Sequence, residues 1–459
     1  MTPSHGPLDV LKAAAFPALA VVLVLAAVLA PGADGDGDGD GARRPTSVPV
    51  TQSSYACPAG SIITVASGQV EAGTSATAEV LPSRTPASGL AGADGWRTAV
   101  VDGEGVVVDQ QGTGSGAVGY FSGTAPASGG GGLVVGACTG IVDDAWLLGL
   151  GSGNGHFSTL ILTNLAGSTA SVDLSLWGPE GPIDAVDADG IVVEPHSVRR
   201  IRLDELAAGE SEVAVHLTRR RGSVSAVVND TSTSAPRGTE PISAAQSPRR
   251  TQVVGGLVAG ASGRTLLVLN PGTSTARVDV EVVGQKGTFT PEGLEQVSVA
   301  GGTVQAVTIP ASAGAEPQAL RLTSDQPVSA TVRSAPTATD VAYAESTPAL
   351  SGPTVVPVAL GDRSSVPQLV LTAAEDAASV EVQAFDASMA PVGSPTTVTL
   401  AAGTTTAVRP DVEGAAYLVL RPTGRVVAAA TYTDGDRVSS LALSAAPVSA
   451  EAPQVRPAR

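Results

Sequence analysis

Aromatic side chains are scarce in this chain: five Phe, five Tyr and three Trp among 459 residues. A glycosidase cleft or a long sugar platform needs aromatic walls, so that scarcity argues against both. Histidine occurs four times and cysteine twice. No histidine stands at ligand spacing from Cys57 or Cys138, which argues against a zinc site of the Cys/His type. No metal or cofactor is expected. Basic residues are also short, 26 Lys and Arg against 43 Asp and Glu, giving a formal net charge of −17. Such a chain lacks the basic face that nucleic-acid phosphates require. The pairs and triplets Arg199-Arg200 and Arg219-Arg220-Arg221 read as solvated strand ends. The glycine-rich stretch GLGSGNGHF from Gly149 has no Walker lysine, and no G-x-S-x-G elbow occurs.

What is present is small, apolar and turn-rich. Hydrophobic residues make up 43% of the chain, mostly Ala and Val, alongside 54 Gly and 33 Pro. Small β-branched residues between Gly and Pro turns favour many short strands over long helices. One pattern is spelled three times at intervals of roughly 105 residues, a normal domain length. It runs STLILTNLAGSTASVDLSLWG from Ser158, RTLLVLNPGTSTARVDVEVVG from Arg264, and PQLVLTAAEDAASVEVQAFD from Pro367. The first two copies align without a gap, Asn164 on Asn270 and Gly178 on Gly284. Alternation such as Val172-Asp173-Leu174-Ser175-Leu176 marks strands with one buried face.

The N-terminus carries an apolar run over 13–33, about 20 residues and long enough to cross a bilayer as a helix. Lys12 precedes it, which places residues 1–12 in the cytoplasm and the bulk outside. Two readings follow, an uncleaved anchor and a cleaved signal peptide. Pro31 directly after Val28-Leu29-Ala30 makes a poor cleavage site and favours the anchor. Residues 34–54, rich in Asp, Gly and Pro, read as a tether. Their Asp36-Asp38-Asp40 spacing imitates an EF-hand start, but Ser47 stands where the closing Glu belongs. In an exported chain Cys57 and Cys138 read as one disulfide. It would close a loop of about 80 residues and contribute roughly 4 kcal/mol in the chain-entropy model.

The expected architecture is all-β: tandem antiparallel β-sandwich modules of Ig-like type after one transmembrane helix. The boundaries are an N-terminal β region over 55–132, module 1 over 133–250, module 2 over 251–352, module 3 over 353–449 and a disordered tail over 450–459. The N-terminal region reads either as a degenerate copy or as a partner completing module 1. Each module opens on a Val-rich lead strand: GGLVVGA at Gly131, TQVVGGLVAG at Thr251, PTVVPVAL at Pro353. The turns EPHS at Glu194, AGGT at Ala300 and AAGT at Ala401 read as hairpins. The alternative is a continuous ring or propeller-like structure.

No catalytic residue stands out. Gly114-Ser-Gly116-Ala-Val-Gly119 matches a dinucleotide fingerprint, but no helix follows it. The carboxylate pairs Asp143-Asp144 and Asp187-Asp189 read as loop residues, and no nucleophile motif accompanies His156, His196 or His216. The sequon Asn229-Asp230-Thr231 reads as a strand end. One stretch, DDAWLLGLGSGNGHFSTL from Asp143, gathers Trp146, His156 and Phe157. It reads either as an exposed recognition loop or as core packing of Trp146 between the N-terminal region and module 1.

The segment LILTNLAGSTASVDLSLWGPEG, preceded by Cys138 and the Trp146 glycine stretch, resembles an uncharacterised family of exported actinobacterial proteins. The likeness covers most of the chain after the tether. It departs from the usual Asn-Pro-Gly at Asn164-Leu-Ala-Gly, and module 3 has Ala373 in place of the Asn. The resemblance implies an exported, membrane-anchored β-rich protein and carries over no catalytic residue. The expected role is a non-enzymatic structural or interaction protein of the cell envelope, located at the membrane or secreted, with an envelope protein or polysaccharide as partner and no nucleic acid. The alternatives are a hydrolase of envelope polymers and a carbohydrate-binding protein.

Overall fold

The computed structural model describes residues 46–153, 155–260, 263–360, 363–364 and 366–451. The expected membrane segment over 13–33, most of the tether and most of the expected tail therefore lie outside the described residues. Among the described residues no helix is long and apolar enough to cross a membrane. Their helix is limited to three single 3-10 turns, and the rest of their regular structure is β, as the period-two alternation requires.

Module 1 shows how that alternation builds a unit. Its main strands are β1 (Asp144–Leu150), β2 (His156–Asn164), β3 (Ala170–Trp177), β4 (Ile191–Val193), β5 (Val198–Arg202), β6 (Val213–Arg221), β7 (Val224–Ser232) and β8 (Gly238–Ile242). One antiparallel sheet runs β1-β6-β3-β4, and the other runs β5-β2-β7-β8. Leu147, Leu174 and Val215 of the first sheet share one buried core with Leu160, Leu162 and Val228 of the second. Each buried aliphatic of this size contributes about 1.5–3 kcal/mol. Modules 2 and 3 repeat the order. In module 2 the counterparts of β6 and β7 are one strand, Gln318–Ser334, that pairs first in one sheet and then in the other.

Two expectations are corrected here. The turns at Glu194, Ala300 and Ala401 are not hairpins. β4 pairs with β3 while β5 pairs with β2, so the turn between them carries the chain from one sheet to the other. The same holds for Val297–Val299 with Thr303–Thr308 and for Pro391–Leu400 with Thr404–Val408. Turn residues dictate a reversal but not which sheet receives the next strand. The second correction concerns GGLVVGA. The strand Leu133–Ala137 pairs with Val118–Thr124 and ends the N-terminal region, and module 1 opens on β1 instead. Both segments are short Val- or Leu-rich runs after glycine, so composition does not separate a last strand from a lead strand.

With that strand assigned, the N-terminal region is a fourth copy. Its sheets run Gln52–Pro58, Gly105–Gln111, Ser75–Leu81 and Arg97–Val100, Ile63–Gly68, Val118–Thr124, Leu133–Ala137, the same order as module 1. In every copy the chain returns after the last strand to the lead strand, through Ala56–Thr139, Trp146–Ala245, Val254–Ser346 and the Ala446 N–H on the Pro353 carbonyl. The bond between Cys57 and Cys138 fastens this return covalently in the N-terminal sandwich alone.

The repeated asparagine is a turn organiser. The Asn164 amide donates to the carbonyls of Ser168 and Val193 and accepts from the Ala166 N–H. Asn270 makes the same three bonds, to Ser274, Val299 and Gly272.

The copies meet head to tail. The outer face of the first sheet in one copy receives the end of the β2 counterpart and the β5 region of the next. Ala56, Leu81 and Val107 pack on Leu165 and Val198 of module 1. Leu148 and Ala214 pack on Leu269 and Val304 of module 2. The Val283 carbonyl accepts from Thr405 Oγ1 of module 3, and Arg321 donates to the Ala374 carbonyl. Module 3 then meets the N-terminal sandwich, where Trp96 stacks on Tyr417 at 5.2 Å and donates to the Ala359 carbonyl at 2.8 Å. The last strands Leu133–Ala137, Gly238–Ile242, Ala342–Glu345 and Arg437–Ala442 touch one another in that cyclic order. The four copies thus close a ring mainly by side-chain packing, and at the closing seam the strand Ser47–Pro49 also pairs with Ser449–Glu451 at the end of module 3.

Candidate functional site

The expected recognition loop is not one surface. Trp146 lies on the outer face of the first sheet of module 1, while Phe157 lies on the outer face of the second. The glycine run between them carries the chain across the sandwich. Trp146 faces His216 across the strand pair, with ring centroids 3.8 Å apart, and stacks on Trp177 at 5.8 Å. Its indole N–H donates to Asp144 Oδ2 at 3.1 Å, and Asp144 Oδ1 also bonds His216 Nε2. This half-buried shelf packs on Leu148 and Ala245 and on Leu269 and Val304 of module 2. The Trp146 contact is therefore with module 2 and not with the N-terminal region. Trp177 and His216 were missed by sequence reasoning because their closeness to Trp146 comes only from the pairing of β1, β6 and β3.

His156 points into the sandwich end. Its Nε2 lies 3.1 Å from both oxygens of Asp230, which also accepts from Ser158 Oγ at 2.5 Å and Tyr343 OH at 2.8 Å. Burial opposes the charged imidazole, but the Asp230 carboxylate outweighs it and leaves the His156 pKa raised. Serine, histidine and aspartate are all present here, yet both serine and histidine bond the carboxylate. Acyl transfer needs the hydroxyl on the imidazole. Chemically the group is a buried hub. Tyr343 comes from module 2, so Asp230 ties two copies together, as does Arg333 of module 2 on Glu212 of module 1 at 2.7 Å.

More buried carboxyls gather where the last strands meet. Asp340 of module 2 accepts from Leu133 N of the N-terminal sandwich and Val438 N of module 3. Burial pushes its pKa up to about 6. Gly132 and Gly238 approach it so closely that a Cβ on either would lie 2.6 or 2.9 Å from Asp340 Oδ1. Glu240 of module 1 accepts from Ser439 Oγ and Ser440 N of module 3, and burial raises it well above the usual carboxyl range. Glu345 of module 2 accepts from Ser243 N of module 1 and is pushed up to about 7 by burial. Each acid bridges copies. Sequence alone shows none of them, because an acid in an alternating strand ordinarily faces water.

The remaining candidates have plain surroundings. Asp143 pairs with Arg219, and Asp187 and Asp189 lie in the turn before β4. Arg199 and Arg200 stand inside β5 and not at its end. The Gly114–Gly119 stretch is a turn leading into a strand, as expected without a helix. Asp230 of the sequon is interior to β7. Among the described residues no group of three His, Cys, Asp or Glu is arranged to hold a metal.

A search of curated proteins returns no match to this chain. A family model matches residues 91–411, from within the N-terminal sandwich to beyond the β5 counterpart of module 3. The chain belongs to that family, the family of unknown function DUF5719.

Proposed function

We propose that this is a non-enzymatic structural or interaction protein of the cell envelope. In this reading Ig-like sandwiches, closed into a ring, stand outside the membrane on the N-terminal segment, as in exported actinobacterial proteins. The observation that carries export is the Cys57–Cys138 disulfide, a bond that persists in oxidising compartments. The non-enzymatic role is supported by the fate of the reactive side chains: Ser158 and His156 both bond Asp230, which joins module 1 to Tyr343 of module 2, an order unsuited to nucleophilic catalysis. A second reading, carbohydrate binding, is favoured by the half-exposed Trp146–Trp177 stack with Asp144 beside it.

Protease treatment of whole cells tests the placement. Soluble fragments from the 46–451 region should be released while a cytoplasmic marker stays intact; a chain untouched until lysis contradicts export. Co-sedimentation of the full chain with purified envelope polysaccharide separates the two roles. Binding lost on Trp177→Ala supports the second reading, and no sedimentation supports the first.

A further inference from the structure

We infer that the seam between the N-terminal sandwich and module 1 holds a binding site for a single fatty acid. The argument compares equivalent positions in three seams. Strand register makes Pro241, Tyr343 and Ser440 counterparts, each one residue before the partner of the central core strand. At the seam of modules 1 and 2, Tyr343 fills the space. Its OH bonds the Gly149 carbonyl at 3.2 Å, and a Cβ on Gly149 would lie 2.8 Å from the ring. At the seam of modules 2 and 3 the backbones close directly, with Ser440 Oγ on the Gly256 carbonyl and Ala429 against Gly256. Between the N-terminal sandwich and module 1 the counterparts are Ala59 and Pro241, and neither fills the gap. A cavity of about 400 Å³ remains.

That volume falls in the range of small-molecule sites, and the lining has their character. Phe121, Phe157, Ile161 and Val227 form apolar walls, and Ile62 stands 55% exposed beside them. Phe157 and Ile161 occupy outward positions of β2, where a solvated sheet would carry polar residues. The polar groups are few. The side-chain amide of Asn229, a half-buried residue on the wall, bonds no group among the described residues. Arg200 brings the one cationic side chain in the lining; it donates to the Glu104 carbonyl at 2.8 Å, and its charge meets only the exposed Glu104 carboxylate at 3.5 Å, an ion pair of small worth. Apolar walls with one cation and one free amide fit one alkyl chain ending in a carboxylate. The inference stands apart from the proposed envelope role, since it concerns this cavity alone.

The test uses the full chain. Titration with the fluorescent fatty acid cis-parinaric acid should saturate at one molecule per chain. Pro241→Tyr, which copies the filling seen at Tyr343, should weaken it at least tenfold. Arg200→Gln should weaken a carboxylate probe while leaving the matching fatty alcohol unchanged. A diazirine-bearing palmitic acid, photolysed on the unaltered protein, should label peptides containing Phe121 or Ile161, which keeps the test independent of how the variants fold. Label confined to the 13–33 segment, binding indifferent to Pro241→Tyr in a folded variant, or selective uptake of diacyl phospholipid would overturn the inference.

Discussion

The two seams of the N-terminal sandwich use the same elements and are filled in opposite ways. On the module 3 side, Trp96 stacks between Tyr120 and Tyr417, Phe385 stacks on Tyr417, and the cores of the two copies merge. On the module 1 side, small aliphatics meet and a cavity is left. Chain connectivity accounts for the difference. Neighbouring copies are held at high local concentration by a short link. The closing seam joins residues more than 260 positions apart, as Trp96 and Ala359 are. Tripling the enclosed length costs only about 1 kcal/mol of added loop entropy. Yet that seam has no covalent link of its own, so its contacts must hold the ring shut unaided. Concentrating the chain's few aromatics there is the physical solution, since aromatic pairs contribute about 0.5–1.5 kcal/mol beyond their buried area.

Breaking the filled seam should have the largest effect. Trp96→Ala removes a buried ring and its hydrogen bond, and should cost about 5 kcal/mol, the upper end for such truncations. Urea unfolding should show the N-terminal sandwich and module 3 loosening together. Opening the disulfide with Cys57→Ala and Cys138→Ala comes next, at about 4 kcal/mol, with the loss confined to the N-terminal sandwich and its seams.

The carboxyls on the ring axis sharpen the comparison through pH. Asp340, Glu345 and Glu240 have folded pKa values raised by burial above their unfolded ones. Their contribution is complete below the unfolded carboxyl range and is lost as pH rises, through about 6 for Asp340 and about 7 for Glu345, with Glu240 acting in the same direction. His156, raised by Asp230, acts in the same direction. The melting temperature should therefore fall from pH 5 to pH 8, and Glu345→Gln should flatten that slope. A melting curve that rises over this interval would contradict the axial arrangement. The smallest effect belongs to the open seam: Phe157→Ala, half-exposed beneath Arg202, should cost about 1 kcal/mol. A loss matching that of Trp96→Ala would show that the two seams are equally filled.

Much of the architecture was legible. The period-two runs around Val172, Val278 and Val380 mark strands because one face must be apolar, and the expected bond between the chain's two cysteines is present. The sheet assignments after Glu194, Ala300 and Ala401 were not legible, because alternation reads the same in either sheet. The N-terminal region reads in sequence as either a degenerate copy or a partner of module 1 because it has lost the repeated Asn; Gly68 ends the matching strand. Of the site, Trp146, His156 and Phe157 were noticed for their rarity. Their separation onto different faces, and the partners Trp177, Asp230 and Tyr343, depend on contacts between strands and copies that local spacing does not encode.

The central claim is that the first and last copies meet. Glu71 of the N-terminal sandwich and Arg421 of module 3 lie 3.5 Å apart, both exposed. With Glu71→Cys and Arg421→Cys in one chain, a short bismaleimide should join the two within a single molecule in high yield. If both thiols react readily with maleimide yet the monomer gives no internal cross-link, the ring is not closed.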